Sequence, residues 1–125
     1  MERVQGIGGV FFRARNPEAL ARWYAEQLGI EGGLEGDPVW TPGAGPTVFA
    51  PFPESTEKFA ADKQWMLNFR VRDLDAMLEQ LTAAGVPVEE ERQHEPGVGR
   101  FAWLSDPEGN RIELWEPDGA TFDRS

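Results

Sequence analysis

Two stretches of this chain can be written one above the other. Gly9-Val10-Phe11-Phe12-Arg13-Ala14-Arg15-Asn16 aligns with Met66-Leu67-Asn68-Phe69-Arg70-Val71-Arg72-Asp73, so that Arg13 meets Arg70, Arg15 meets Arg72 and Asn16 meets Asp73. Each reads as an apolar strand ending in a side chain able to cap a helix. A second register lays residues 45–52 on 109–116 and puts Phe49 opposite Glu113, resting on strand order and one shared glycine. Internal self-similarity of this kind points to one supersecondary unit used twice.

The elements between these anchors repeat in the same order. After the strand over 7–14, Asn16, Pro17 and Glu18 are N-cap, first-turn proline and first-turn acid of a helix over 17–28, with Leu20, Trp23, Tyr24 and Leu28 at helical spacing and Gly29 as its stop. A glycine-rich stretch holds the short apolar piece Val39-Trp40-Thr41, and a strand over 47–52 lies between Pro46 and Pro53. In the second half a strand over 65–71 precedes a helix capped by Asp73, striped by Leu74, Met77, Leu78 and Leu81, and ended by Gly85. Strands over 86–91, 100–104 and 111–116 follow, with a polar loop at 93–99 and a turn at 105–110. The predicted fold is α+β: two βαβββ modules, about 4–53 and 64–117, together forming one domain over 1–117. A tail at 118–125 is expected to fray.

Composition narrows the functions. With 22 acidic against 12 basic residues the net charge is −10, which repels phosphate backbones and anionic lipid and argues against nucleic acid as a partner. The absence of cysteine removes disulfides, thiolate metal sites and cysteine nucleophiles together. No apolar run approaches the roughly 20 residues of a membrane helix, and the opening MERVQGIGG has no signal-peptide core, so no membrane partner and a cytoplasmic location are expected.

Three segments carry a family resemblance. Asp106-Pro107-Glu108-Gly109-Asn110-Arg111-Ile112-Glu113-Leu114 is similar to the DP-D/E-GN-x-IEL segment near the end of vicinal-oxygen-chelate proteins, the glyoxalase, bleomycin-resistance and extradiol dioxygenase superfamily. Phe69-Arg70-Val71-Arg72-Asp73-Leu74-Asp75 resembles the opening of their second module. Arg15-Asn16-Pro17-Glu18-Ala19-Leu20-Ala21-Arg22-Trp23-Tyr24, with Leu28-Gly29, resembles the opening of their first. The resemblance spans about residues 4–117 and implies a cupped, barrel-like mixed sheet with the helices outside.

In the metalloenzymes of that superfamily four residues, usually His or Glu, hold one divalent metal. Carried over residue by residue, these positions fall on Gly9, Phe49, Met66 and Glu113. Glycine and phenylalanine offer no donor, and a thioether is a poor ligand for Mg, Mn, Fe(II) or Zn. The resemblance therefore implies a metal site that has been lost, and no cofactor is expected. The single histidine, His94, falls in the 93–99 loop away from these positions.

Strand side chains alternate between faces. Counting by twos from the four positions gives a cup lining of Phe11, Arg13, Thr47, Phe49, Pro51, Met66, Asn68, Arg70, Arg111, Glu113 and Trp115. The intervening Val10, Phe12, Val48, Leu67, Phe69, Val71, Ile112 and Leu114 suit a face packed on helices. The expected ligand-binding set is Phe11, Phe49, Met66, Asn68, Arg70, Glu113 and Trp115, an apolar cleft with sparse polar groups. Glu113 is the candidate catalytic residue, as a proton carrier, set against a structural role in pairing with Arg13, Arg70 or Arg111. Trp23 and Trp103 are assigned to the core; Trp40, Trp65 and Trp115 are placed near the cavity.

No serine has an evident histidine partner, and no nucleophile–base pair is recognisable. The leading expectation is a metal-independent small-molecule binding protein of the glyoxalase/bleomycin-resistance type. The alternatives are an enzyme of the superfamily, a lyase or isomerase that is metal-dependent if the ligand register is shifted, and a regulatory dimer without a small ligand. Family analogy also implies a homodimer.

Overall fold

The computed structural model describes residues 1–31 and 39–119. The glycine-rich stretch at 32–38 and most of the expected tail lie outside them. Helix α1 spans Pro17–Leu28: the Asn16 side chain accepts from the Ala19 N–H at 3.1 Å, and Gly29, at φ 71°, donates to the Ala25 carbonyl. Helix α2 spans Leu74–Ala83 and is capped by Asp73, which accepts from the Ala76 N–H at 3.0 Å. Both caps are those predicted from the repeat.

Among the described residues four strands form one open mixed sheet: β1 (Leu67–Arg70), β2 (Val88–Glu95), β3 (Gly99–Ser105) and β4 (Arg111–Pro117). Their order is β1-β4-β3-β2, with β1 parallel to β4 and the other neighbours antiparallel. Residues 67–117 thus follow the βαβββ order expected of them, and the fold class is α+β. One sheet face packs on the helices: Ala102, Leu104, Ile112 and Leu114 form a core with Leu20 and Tyr24 of α1 and Leu74 and Leu81 of α2.

The β3–β4 turn joins this core to α1. The Asp106 carboxylate accepts from the backbone N–H groups of Glu108 and Asn110, from the Asn110 amide and from the Tyr24 hydroxyl. Gly109 supplies the left-handed residue of the turn at φ 84°. Glu108 reaches the other way and accepts from the Arg15 and Asn16 N–H groups ahead of α1. The Asp106–Asn110 segment that carried the family resemblance is therefore a structural clasp between the two halves.

Three expectations are corrected. Among the described residues neither 7–14 nor 47–52 enters the sheet, so four strands stand where eight were expected. A strand is held by its ladder, and Pro51 removes a donor from within the second of these segments while Pro46 and Pro53 remove donors at its two edges. Ile7, Val10, Phe11 and Val48 accordingly remain exposed. The 93–99 loop shrinks to a tight turn in which Val98 donates to the Glu95 carbonyl and Gly97 sits at φ 83°. His94 consequently lies in β2 opposite Arg100, not in a loop.

Candidate functional site on the open sheet face

The face of the sheet turned away from the helices carries two rows of chemically rich side chains. Asn68, Glu113 and Trp103 are cross-strand neighbours on β1, β4 and β3. The Asn68 amide donates to Glu113 Oε1 at 2.7 Å, and the Trp103 indole N–H donates to Glu113 Oε2 at 2.9 Å. Both carboxylate oxygens are thus engaged by neutral donors. Arg70, Trp115 and Phe101 form the next row.

Three rings lie nearly parallel across this face. Phe101 is stacked with Trp115 (centroids 6.3 Å apart, planes 4° apart) and with Trp103 (6.4 Å, 17°). Trp115 donates its indole N–H to the Val98 carbonyl at 3.0 Å. Gly99 makes that possible: a Cβ there would lie 2.6 Å from the indole nitrogen and would collide with the Glu116 carbonyl oxygen.

Arg111 fixes the near end of the face. Its guanidinium makes two bonds to the Glu89 carboxylate, at 2.7 and 2.9 Å, and donates to the Lys58 carbonyl at 2.7 Å. Hydrogen bonding from Arg111 holds the Glu89 carboxyl below its ordinary pKa, against the opposing effect of burial. Arg111 Cζ and Lys58 Nζ lie 5.1 and 5.5 Å from the Trp103 ring centroid. A cleft of about 510 Å³ opens beside them, lined by Thr56, Lys58, Phe59, Glu91 and Arg111 among others. Its size is within the range of small-ligand sites.

Of the residues predicted for the site, Asn68 and Glu113 bond directly, and Arg70 and Trp115 pair across the adjacent row. Met66 is half-buried just ahead of β1. The Arg70 guanidinium donates to the Gly43 carbonyl at 2.9 Å and lies where a side chain on Gly45 would sit. Phe11 and Phe49 are 96% and 81% exposed on the extended segments, and the structure does not bring them to the rings. The expected Arg–Glu113 pairs do not form: Arg111 takes Glu89, which its two-pronged guanidinium fits. Trp40, expected near the cavity, instead meets Phe69 edge-on at 6.2 Å, and Phe69 packs towards α1 and Tyr24. Trp65 is exposed.

The sequence reading missed Phe101, Lys58 and Glu89, and assigned Trp103 only to the core. Trp103 is 1% exposed, but it is buried on the open face. The signal was present: Ser105 pairs with Arg111 across the Asp106 turn, so counting back by twos from Ser105 gives Trp103 and Phe101 on the face of Glu113.

The family's divalent metal does not fit this donor set. Gly9 and Phe49 offer no donor, and Met66 offers only a thioether. Glu113 has both oxygens engaged by Asn68 and Trp103. Among the described residues no three His, Cys, Asp or Glu side chains converge.

The family model described as a glyoxalase-like domain matches residues 9–115. A curated Mycobacterium tuberculosis (strain CDC 1551 / Oshkosh) protein named "Putative glyoxylase CFP32" is 43% identical over 53 residues, 42% of this chain; that match spans only 20% of the mycobacterial protein. Among solved structures, lactoylglutathione lyase from Agrobacterium tumefaciens is similar at TM-score 0.60 and 19% identity, covering 92% of this chain and 96% of that one. TnmS3, an antibiotic binding protein from Streptomyces sp. CB03234, is similar at TM-score 0.47 and 22% identity, covering 79% and 84%. The family model covers most of the chain, including both helices and all but the last two residues of β4: this protein belongs to the glyoxalase-like domain family of the vicinal-oxygen-chelate superfamily.

Proposed function

We propose that this protein binds a small organic molecule on the open sheet face without a metal ion. The observation that carries this reading is the stack of Trp115, Phe101 and Trp103 beside the cleft at Arg111, with Glu113 held between Asn68 and Trp103. A rigid aromatic floor with a few fixed polar groups suits recognition of a small ligand. Donor chemistry supports the metal-free part, since the one surviving carboxylate is committed to two N–H groups. Asn68, Arg70, Glu113 and Trp115 are the proposed polar and aromatic contacts. Met66 extends the same lining, with Phe11 and Phe49 contributed by the extended segments.

The same reading includes a cytoplasmic homodimer. The exposed apolar side chains Val10, Phe11, Val48 and Phe49 support burial against a second copy. No helix among the described residues is long and apolar enough to cross a membrane. Native mass spectrometry of gently purified protein tests all three parts together. A dimer carrying an organic adduct and no metal is expected. A stoichiometric divalent metal contradicts the metal-free reading, and a monomer contradicts the dimer.

A further inference from the structure

Of the two cations over the Trp103 ring, Arg111 and Lys58, only Lys58 has no carboxylate partner among the described residues. The Lys58 side chain enters none of the ion pairs formed there, and its ammonium sits 5.5 Å from the centroid of the Trp103 ring. That distance is within the reach of a cation–π contact. The ring is prepared for a positive charge. Its N–H donates to the Glu113 carboxylate, which pushes electron density back into the indole, and chains of hydrogen bonds polarise one another in this sense. Glu113 is fixed in turn by Asn68. The neighbouring cation, Arg111, is already matched by Glu89. Lys58 therefore meets the polarised ring without a matching carboxylate of its own, whereas Arg111, over the same ring, is matched by Glu89.

Lys58 belongs to a short strap, not to the sheet. Thr56 donates to the Pro53 carbonyl and Lys58 donates to the Thr56 hydroxyl, which makes a local turn. The strap is tied down by the bond from Arg111 to the Lys58 carbonyl, and the cleft of about 510 Å³ lies between it and the sheet. Among the described residues the Lys58 head is held by the ring alone, while its backbone is held by Arg111. An exposed lysine head can leave such a place without moving the strap.

We propose that the Trp103–Glu113 pair is a binding site for the cationic group of an organic ligand, an amidinium or ammonium on a planar or apolar body, and that Lys58 is its built-in competitor. This rests on the open-face reading above and names the ligand class. Lys58 fills the cation site when no ligand is present and swings into the cleft mouth when one arrives. Glu113, the last carboxylate among the four family positions, then acts through Trp103.

The test uses three planar probes of nearly equal shape: benzamidinium, benzamide and benzoate. Each is titrated into the full-length protein while the indole N–H signals are followed by ¹H–¹⁵N NMR, the Trp103 signal being assigned with Trp103→Phe. Benzamidinium is expected to shift the Trp103 signal saturably. Lys58→Ala and Lys58→Gln should both tighten its binding by roughly two- to fivefold, the size of one exposed cation–π contact. Benzamide and benzoate should leave the signal in place. If benzamide shifts Trp103 as strongly as benzamidinium and neither Lys58 variant changes affinity, the cation site is overturned while the open-face reading stands. If none of the three probes moves the signal in any variant, both fall.

Discussion

The Tyr24 hydroxyl donates to Asp106 Oδ2 at 2.7 Å across a separation of 82 residues, in the buried space between α1 and the β3–β4 turn. Four donors converge on that one carboxylate. Tyr24→Phe removes one of them and leaves the turn intact, so a loss of about 1.5–3 kcal/mol is expected, as for a bond to a charged group. Asp106→Ala orphans the others as well and should cost more. Urea denaturation of the two variants checks the order; an Asp106→Ala protein as stable as Tyr24→Phe contradicts the clasp.

The same pair sets an alkaline limit. Burial, then the bond to Asp106 and its negative charge, push the Tyr24 pKa well above its ordinary value. A raised folded pKa means the stabilisation is complete below the unfolded value, about 10, and is lost as pH rises beyond it. Tyr24 is the only tyrosine, so tyrosinate absorbance reports it alone. It is expected to ionise only as the protein unfolds; ionisation with an ordinary pKa in folded protein contradicts the burial argument.

At the acid end three carboxylates work in the opposite sense. Glu108 is held below its ordinary pKa chiefly by the Asn16 N–H and then the Arg15 N–H, while Asp75 is lowered by Arg100 and Glu89 by Arg111. Their contribution is present above the unfolded value of about 4.3 for Glu and 3.9 for Asp, and is lost as pH falls through the depressed folded values. Urea midpoints between pH 3 and 7 should fall on acidification, with a shallower fall in Glu108→Gln.

How much of this was legible follows from the range over which each signal acts. The helix caps Asn16 and Asp73 are local chemistry and could be read directly, as could the alternation that puts Ile112 and Leu114 on the helices and Glu113 on the other face. Glu113's partners were not legible. Arginine was the expected partner, but Trp103 lies directly across the β3–β4 hairpin, and only the register of that hairpin places it there. The strap that brings Lys58 to the face is a tertiary arrangement carried by Arg111, with no periodicity to announce it. The first-half strands show the converse: the repeat supplied the pattern, but pattern alone makes no ladder.

Gly99 is a close-approach glycine. At φ 147° it lets the Glu116 carbonyl and the Trp115 indole come within reach of its Cα, and Gly99→Ala would drive a methyl into both. A cost of about 1–3 kcal/mol is expected for such overpacking, together with displacement of the Trp115 indole signal. An unperturbed Trp115 signal in Gly99→Ala would rule this out.

Arg111 should matter locally more than globally. Its partner Glu89 is more than a third exposed on its side chain, so Glu89→Gln should cost less than about 1 kcal/mol. Arg111→Gln should in addition release the strap, seen as faster amide exchange at Thr56 and Lys58 while α1 and α2 stay protected. Unchanged exchange at those two amides would show that the bond to the Lys58 carbonyl does not hold the strap.

Ligand retention by Phe101→Ala tests the central claim most directly, since Phe101 is the middle ring of the stack and only half-buried. Native mass spectra of wild type and variant, with circular dichroism to show that both are folded, should find an organic adduct on the wild type that is lost from Phe101→Ala, with no metal on either. An adduct that survives Phe101→Ala undiminished, or a divalent metal bound one per chain, would contradict a metal-free ligand site on the open sheet face.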